Sequence, residues 1–477
     1  MTTTFLFIDS LNNDRFTKSL ARSHVLKGKN VGRKLNRRPR VEPDRRKPAS
    51  AFLSNPGRDV ARQLANSSEL DTTPSIIPEA SLPLNYLYFN DHLLDSAFPI
   101  EVTLKSQHLV QQFYGIVVES LYPPRLCHSL YKPRRDWLHM LFEDHMSYHC
   151  SMALMASMDS FFTGRGSLAP KAVYHLGCAV NLVNKKLATA DALSDSTLAV
   201  VNFLVVQHLV REEHVQAEVH HKGLRKMVEL RGGLSQLAHN EMLALKLCKT
   251  DVDYALHYGT STCFYRDHMA EVYRSLRTDG FVRTNDWERL PPSAHNLNPF
   301  LRCILQDVMN ICALFNNEKL NFRLESSMLQ EFVVSVGHRV VQSHPLSETP
   351  LKDPVEGAYH IGLAAFVTTL MLQFGRRRYL KFSLVGKCLK EAVMLSLDEE
   401  HDGIVLWLLF LGGISVLGDM QDAWLGTRIR HILARLGIKG WTEVRRHLVQ
   451  YPWISAVHDD GGKRLWEFVM RDQARIR

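Results

Sequence analysis

From Ser194 to Leu234 the chain reads SDSTLAVVNFLVVQHLVREEHVQAEVHHKGLRKMVELRGGL, and the two halves of this stretch decide the fold class. Ser194, Asp195 and Ser196 offer side-chain oxygens to an N-terminal helical turn, and Leu198 to Val210 then runs apolar on nearly every side. The valines would also suit a strand. A run of this length behind a capping cluster predicts a buried, central helix. The second half, Glu213 to Arg231, is amphipathic. At about 100° per residue Val215, Val219, Gly223, Leu224, Met227 and Leu230 make one broad apolar stripe, with Lys222, Arg225 and Glu229 opposite. His220 projects into that stripe and is expected to be buried. Gly232 or Gly233 can take the left-handed conformation that ends a helix.

Outward from this pair the same grammar continues. From about Phe98 to the end, helical stretches alternate with breaks at Tyr122-Pro123-Pro124, Thr163 to Gly166, Gly232-Gly233, Pro291-Pro292, His344-Pro345 and Asp459 to Gly462. Strand-like alternation is scarce and no fixed-period repeat is visible, so a solenoid is unsupported. The sequence predicts an all-α protein: a large multi-helix domain over residues 98–477, preceded by a disordered basic arm (1–47) and a Ser/Pro-rich linker (48–97).

Charge separates the arm from the body. Of 58 Lys and Arg and 49 Asp and Glu, the first 47 residues hold 13 and 4, which leaves 45 of each sign beyond Lys47. The body is neutral and the arm carries the whole net charge of +9. Its densest part contains Arg33, Lys34, Arg37, Arg38, Arg40, Arg45, Arg46 and Lys47, interrupted by Pro39, Pro43 and Pro48. The prolines disfavour a continuous helix, and Leu35 and Val41 are too few for a core, so an extended, solvated strip is expected. Such a strip suits an acidic surface: an import receptor's groove, a phosphate backbone or an anionic membrane. The plainer alternative is a solvated tail.

With 45% hydrophobic and 22% charged residues, the composition is that of a globular protein. Phe5 to Ile8 is too short an apolar stretch for a secretory signal. The apolar run Ile404 to Gly418 falls short of the roughly 20 residues that span a bilayer, and reads as a buried helix. The eight cysteines form no Cys-x-x-Cys pair, and the first is Cys127. That spacing fits reduced, separately packed thiols and offers no paired-cysteine zinc module.

Candidate chemistry is sparse. His145 and His149 share a helix face near His139, Glu143, Asp144 and Cys150, but a His-Glu-x-x-His zinc site needs Glu after the first His, where Met146 stands. Phe142, Met146, Met152 and Met155 predict a core helix there instead. His214, His220 and His221 lie near Glu212, Glu213 and Glu218, yet His214 and His220 point to different faces of one helix. Gly164-Arg165-Gly166 and Gly259 to Cys263 lack the glycines of a phosphate loop or a nucleophile elbow. No catalytic residue, metal ligand or cofactor is expected.

His220 to Leu234, with its His-x-x-Gly-Leu…Met-Val…Arg-Gly-Gly-Leu order, resembles the fungal-specific transcription factor domain family. Ser194 to Leu198 upstream, and Asp251, Ala255 and Phe264 downstream, are similar to that family's pattern, as are Trp407 to Gly413, Trp424, Trp441, Tyr451-Pro452-Trp453 and Trp466. The opening Phe5 to Asp9 and Arg22 to Val25 resembles members without a DNA-binding domain. The motif positions that the resemblance singles out are His220, Gly223, Arg231, Gly232, Gly233 and Asp251. It implies a nuclear transcription regulator with a helical regulatory domain, working with an import receptor and with transcription machinery or a DNA-binding partner protein. The missing cysteines remove the family's binuclear zinc cluster, so the arm would at most touch nucleic acid without sequence choice. No membrane contact is expected. The alternatives are a cytosolic or nuclear helical adaptor and a metal-dependent helical enzyme.

Overall fold

Ser194 caps a helix as its sequence implies. Its backbone is extended (φ −66°, ψ 159°) and its Oγ accepts the Thr197 N–H. The computed structural model describes residues 109–110, 121–129, 136, 143–162, 170–278, 281, 290–371, 373–374, 377–378, 380–394, 399–417 and 423–476. The basic cluster Arg33 to Lys47, the linker and the boundary near residue 98 lie outside them.

In chain order the α-helices among the described residues are α1 (His145–Phe162), α2 (Pro170–Lys186), α3 (Asp195–Val210), α4 (His214–Arg231), α5 (Glu241–Tyr258), α6 (Met269–Thr278), α7 (Pro299–Asn316), α8 (Ser326–Ser343), α9 (Pro354–Thr369), α10 (Ser383–Met394), α11 (Asp402–Ser415), α12 (Ala423–Arg435), α13 (Trp441–Leu448) and α14 (Ser455–Ile476). Between α9 and α10, Gln373–Phe374 and Arg377–Arg378 form a two-residue antiparallel hairpin. The protein is all-α, as the sequence implies.

Two helices that are apolar all round act as hubs, because only a helix surrounded by others can bury every side. In α3 only Asp195, Val206 and Val210 escape full burial, and it packs against α1, α2, α4 and α5. The second hub is α11, the run read as a buried helix, and it packs against α9, α10, α12, α13 and α14. Helices α5, α8 and α9 join the two neighbourhoods. No helix among the described residues is long and apolar enough to cross a membrane.

Two sequence expectations need correction. The buried face of α4 is Ala217, His220, His221, Leu224, Met227 and Val228, whereas Val215, Val219 and Leu230 are exposed. The helix has two apolar sides, and the one carrying the histidines meets α3 and α5, where His220 stacks on His208 and His221 pairs with Asp251. Nor do Asp459 to Gly462 break the chain, since they lie inside α14. A Cβ at Gly462 would stand 2.8 Å from Trp441 and 3.1 Å from Trp453, so this glycine permits close packing of helices. Asp459 accepts from Trp453 Nε1 at 2.8 Å and from Arg445 Nε at 2.7 Å.

The aromatic C-terminal residues close around α11. Trp407 is fully buried, stacks on Tyr451 at 5.5 Å and donates its indole N–H to the Pro452 carbonyl at 3.0 Å. Gly362 of α9 lies flat against that indole, with no room for a Cβ. Gly362→Ala is therefore expected to destabilise the protein by about 1–3 kcal/mol through overpacking. Gly357→Ala, on the same helix with nothing nearer than 4.0 Å, is expected to be neutral or to stabilise by up to about 1 kcal/mol. Urea unfolding of the two variants reads both signs.

Candidate functional site

Most of the charged residues that the fold buries gather along one seam, where the segment from Gly259 to His268 crosses α5 and α8, while buried Asp402 lies apart and pairs with Arg435. Gly259 ends α5 in the left-handed region (φ 76°), and a Cβ there would stand 2.7 Å from the Ser347 nitrogen. From that turn the chain runs back and is tied down along its length, at its end by the His268 N–H, which donates to Ser335 Oγ at 2.8 Å. Phe264 N–H donates to Asp251 Oδ2 at 2.7 Å. Arg266 donates from Nε and Nη2 to the Glu331 carboxylate, at 2.9 and 2.5 Å, and from Nη2 to Glu241 Oε2 at 2.7 Å. Asp267 lies 3.7 Å from Arg339 Nε and accepts the Met269 N–H at the start of α6.

Behind these ties the network continues. Arg339 Nη1 donates to Asp307 Oδ2 and Tyr273 Oη donates to Asp307 Oδ1, both at 2.8 Å. Asp251, Asp307, Glu331, Arg266 and Arg339 are all buried. Removal from water favours the uncharged form of Arg266, but hydrogen bonds and attraction from Glu331 and Glu241 outweigh it and lift the guanidinium above its usual range. Buried His338 is pushed below its usual value by desolvation.

Asp251, the downstream motif residue, is a junction. Its Oδ1 lies 2.8 Å from Nε2 of His221, whose ring stacks on Tyr254 at 3.9 Å with the planes 5° apart. Cys263 joins them: one ligand atom each from His221, Asp251 and Cys263 lie within 4.8 Å of one another. Burial, and then the Asp251 charge, push the Cys263 thiol up to about 11. Glu241, His268 and Glu331 also converge, but the Arg266 guanidinium already bonds both carboxylates.

The remaining motif residues are fixed in structural roles. His220 is buried against His208, the rings 5.0 Å apart and nearly parallel, and burial pulls it down to about 3. Gly223 is half-buried in α4. Arg231 bonds Asp195 Oδ1 at 2.5 Å and the Leu193 carbonyl at 3.1 Å, tying the end of α4 to the start of α3. Burial alone would raise the Asp195 carboxyl, but bonds from Asn240, Arg231 and His239 hold it below the usual carboxylate range. Gly232 (φ 104°) and Gly233 (φ 95°) return their N–H groups to Glu229 and Val228, closing α4.

At the first histidine cluster, α1 is a core helix, with Met146, Met152 and Met155 buried; Phe142 and His139 lie outside the described residues. His149 meets a residue the sequence did not single out, His175 of α2, with Nδ1 to Nδ1 2.9 Å. His221 with Asp251 and Cys263 was missed as well, because its partners come from a different helix and a loop. Asp251 offered no local signal of this role, since Lys249, Thr250 and Asp253 beside it make the stretch mixed in polarity. No family model, no curated protein and no solved structure matches this chain.

Buried histidines make the fold acid-sensitive. Burial holds His220 and His458 down to about 3 and His360 to about 4, against 6.5 for a free ring. His458 accepts the Ile454 N–H at Nδ1 and shares Nε2 with Thr369 Oγ1, an arrangement that suits the neutral ring. Below pH 6.5 the unfolded chain takes up protons that the folded chain refuses. Stability is thus complete above about pH 6.5 and falls as the pH drops towards about 3. Unfolding free energies between pH 6.5 and 5, above the range of ordinary carboxylates, are expected to decline with a slope of more than one proton. His220→Phe is expected to reduce that slope by up to about 1.4 kcal/mol per pH unit; a flat wild-type profile would contradict the assignment.

Proposed function

We propose that this protein is a nuclear transcription regulator whose helical domain acts as the regulatory module, with no zinc-cluster DNA-binding module in this sequence. The observation that carries the reading is the charge asymmetry: all the excess charge lies in the first 47 residues, before a neutral body. The strip Arg33 to Lys47 suits an import receptor's acidic groove, and its phosphate contacts would add affinity without sequence choice. The resemblance of His220 to Leu234 supplies the second support. A promoter address would come from a DNA-binding partner protein, and transcription machinery would be the other contact of the helical domain.

The test is made on the intact chain, expressed wild type and with the eight basic residues from Arg33 to Lys47 changed to Ser. The wild type is expected in the nucleus and the neutralised chain spread through the cell. The same distribution for both would refute the role of the arm. Fused to a neutral DNA-binding domain, the intact chain is expected to change reporter output several-fold, whereas an inert fusion would favour an adaptor without a promoter role. Any direct DNA binding should weaken steeply with salt.

A further inference from the structure

We infer that His221, Asp251 and Cys263 form a binding site for a single zinc ion. This set differs from the histidine clusters that the sequence offers as metal candidates, sharing only His221 with them. The inference goes beyond the regulatory reading and stands independently of it.

The three residues reach the site from α4, from α5 and from the crossing segment, so only the folded chain assembles them. Their chemistry is selective. One imidazole nitrogen, one carboxylate oxygen and one sulfur make a mixed donor set that suits zinc, whereas calcium and magnesium take oxygen. The surroundings orient each donor. The Phe264 N–H holds Asp251 Oδ2, which leaves Oδ1 turned towards His221. The Tyr254 ring, stacked at 3.9 Å, fixes the plane of the imidazole. Hydrogen-bonded carboxylates and oriented rings are what metal ligands require around them.

Little movement is needed. Around zinc, a nitrogen and an oxygen at about 2.0–2.2 Å from the ion stand roughly 3.3 Å apart. The present 2.8 Å separation of Nε2 and Oδ1 must therefore widen by a few tenths of an ångström. Cys263 sits in a loop and can close the remaining distance. His221 and Asp251 are buried while Cys263 is half-buried, so the ion enters from the sulfur side and the fourth position faces solvent. The proton now shared between His221 Nε2 and Asp251 shifts to Nδ1, leaving the ring neutral. The thiol proton passes to water, so one proton is released per ion.

Such an ion would lock the crossing segment onto α4 and α5 and so stabilise the fold in proportion to its occupancy. The test uses the purified full chain, stripped by chelator and titrated with Co²⁺ as a spectroscopic stand-in and with Zn²⁺. The wild type is expected to take up one equivalent of Co²⁺ with a thiolate-to-metal charge-transfer band that Zn²⁺ displaces, and to melt at a higher temperature with Zn²⁺. Cys263→Ser, a loop substitution expected to leave the metal-free melting temperature unchanged, should lose the band and the Zn²⁺-induced shift. His221→Gln should lose both as well. A wild type that binds no Co²⁺, or binds it without a thiolate band, or a Cys263→Ser protein that keeps the band, would overturn the site.

Discussion

Arg266 is a full positive charge almost out of contact with water, and much of the arrangement around it follows from the need to compensate that charge. Taking such an ion out of water costs several kcal/mol, and the cost is recovered only by charged partners in good hydrogen-bonding geometry. Those partners are Glu331 of α8 and Glu241 at the start of α5. One guanidinium thereby fixes the crossing segment, α5 and α8 relative to one another. Arg339 of α8 adds a second buried guanidinium, pairing with Asp307 of α7 and lying 3.7 Å from Asp267 of the segment.

The apolar hubs and the ionic seam do different work. Around α3 and α11 burial is nearly complete and the contacts are mostly apolar and close-packed, as where Gly362 meets Trp407. Charged hydrogen bonds have direction, and a misplaced partner strands a buried ion. The seam therefore selects one arrangement from those that the hubs alone would permit. At its edge stand His221, Asp251 and Cys263.

The legible part of the sequence was what depends on neighbours in the chain. Ser194 capping α3, Gly232 ending α4 and the apolar runs of α3 and α11 are local facts, and each could be read from a few adjacent residues. The burial of His220 was also legible, because its position on a helix face is local. The contacting face of α4 was not. Val215, Val219 and Leu230 look more apolar than His220 and His221, and only the partners on α3 and α5 make the histidine side the buried one. The seam was hidden for the same reason: Arg266 meets Glu331 across 65 residues, and His221 meets Asp251 across 30. Asp459 to Gly462 misled in the opposite sense, since a glycine pair that marks a turn in isolation here lies inside a helix, where Gly462 lets two tryptophans approach closely.

The most direct measurement of this account is a double-mutant cycle on Arg266→Met and Glu331→Gln, read by urea unfolding of the full chain. Each single variant leaves a buried group without its partner and is expected to lose about 3–5 kcal/mol. The double variant is expected to be more stable than the sum of the two losses by about 2 kcal/mol or more. Losses that add within about 0.5 kcal/mol would contradict the claim that the Arg266–Glu331 pair holds the helices in register.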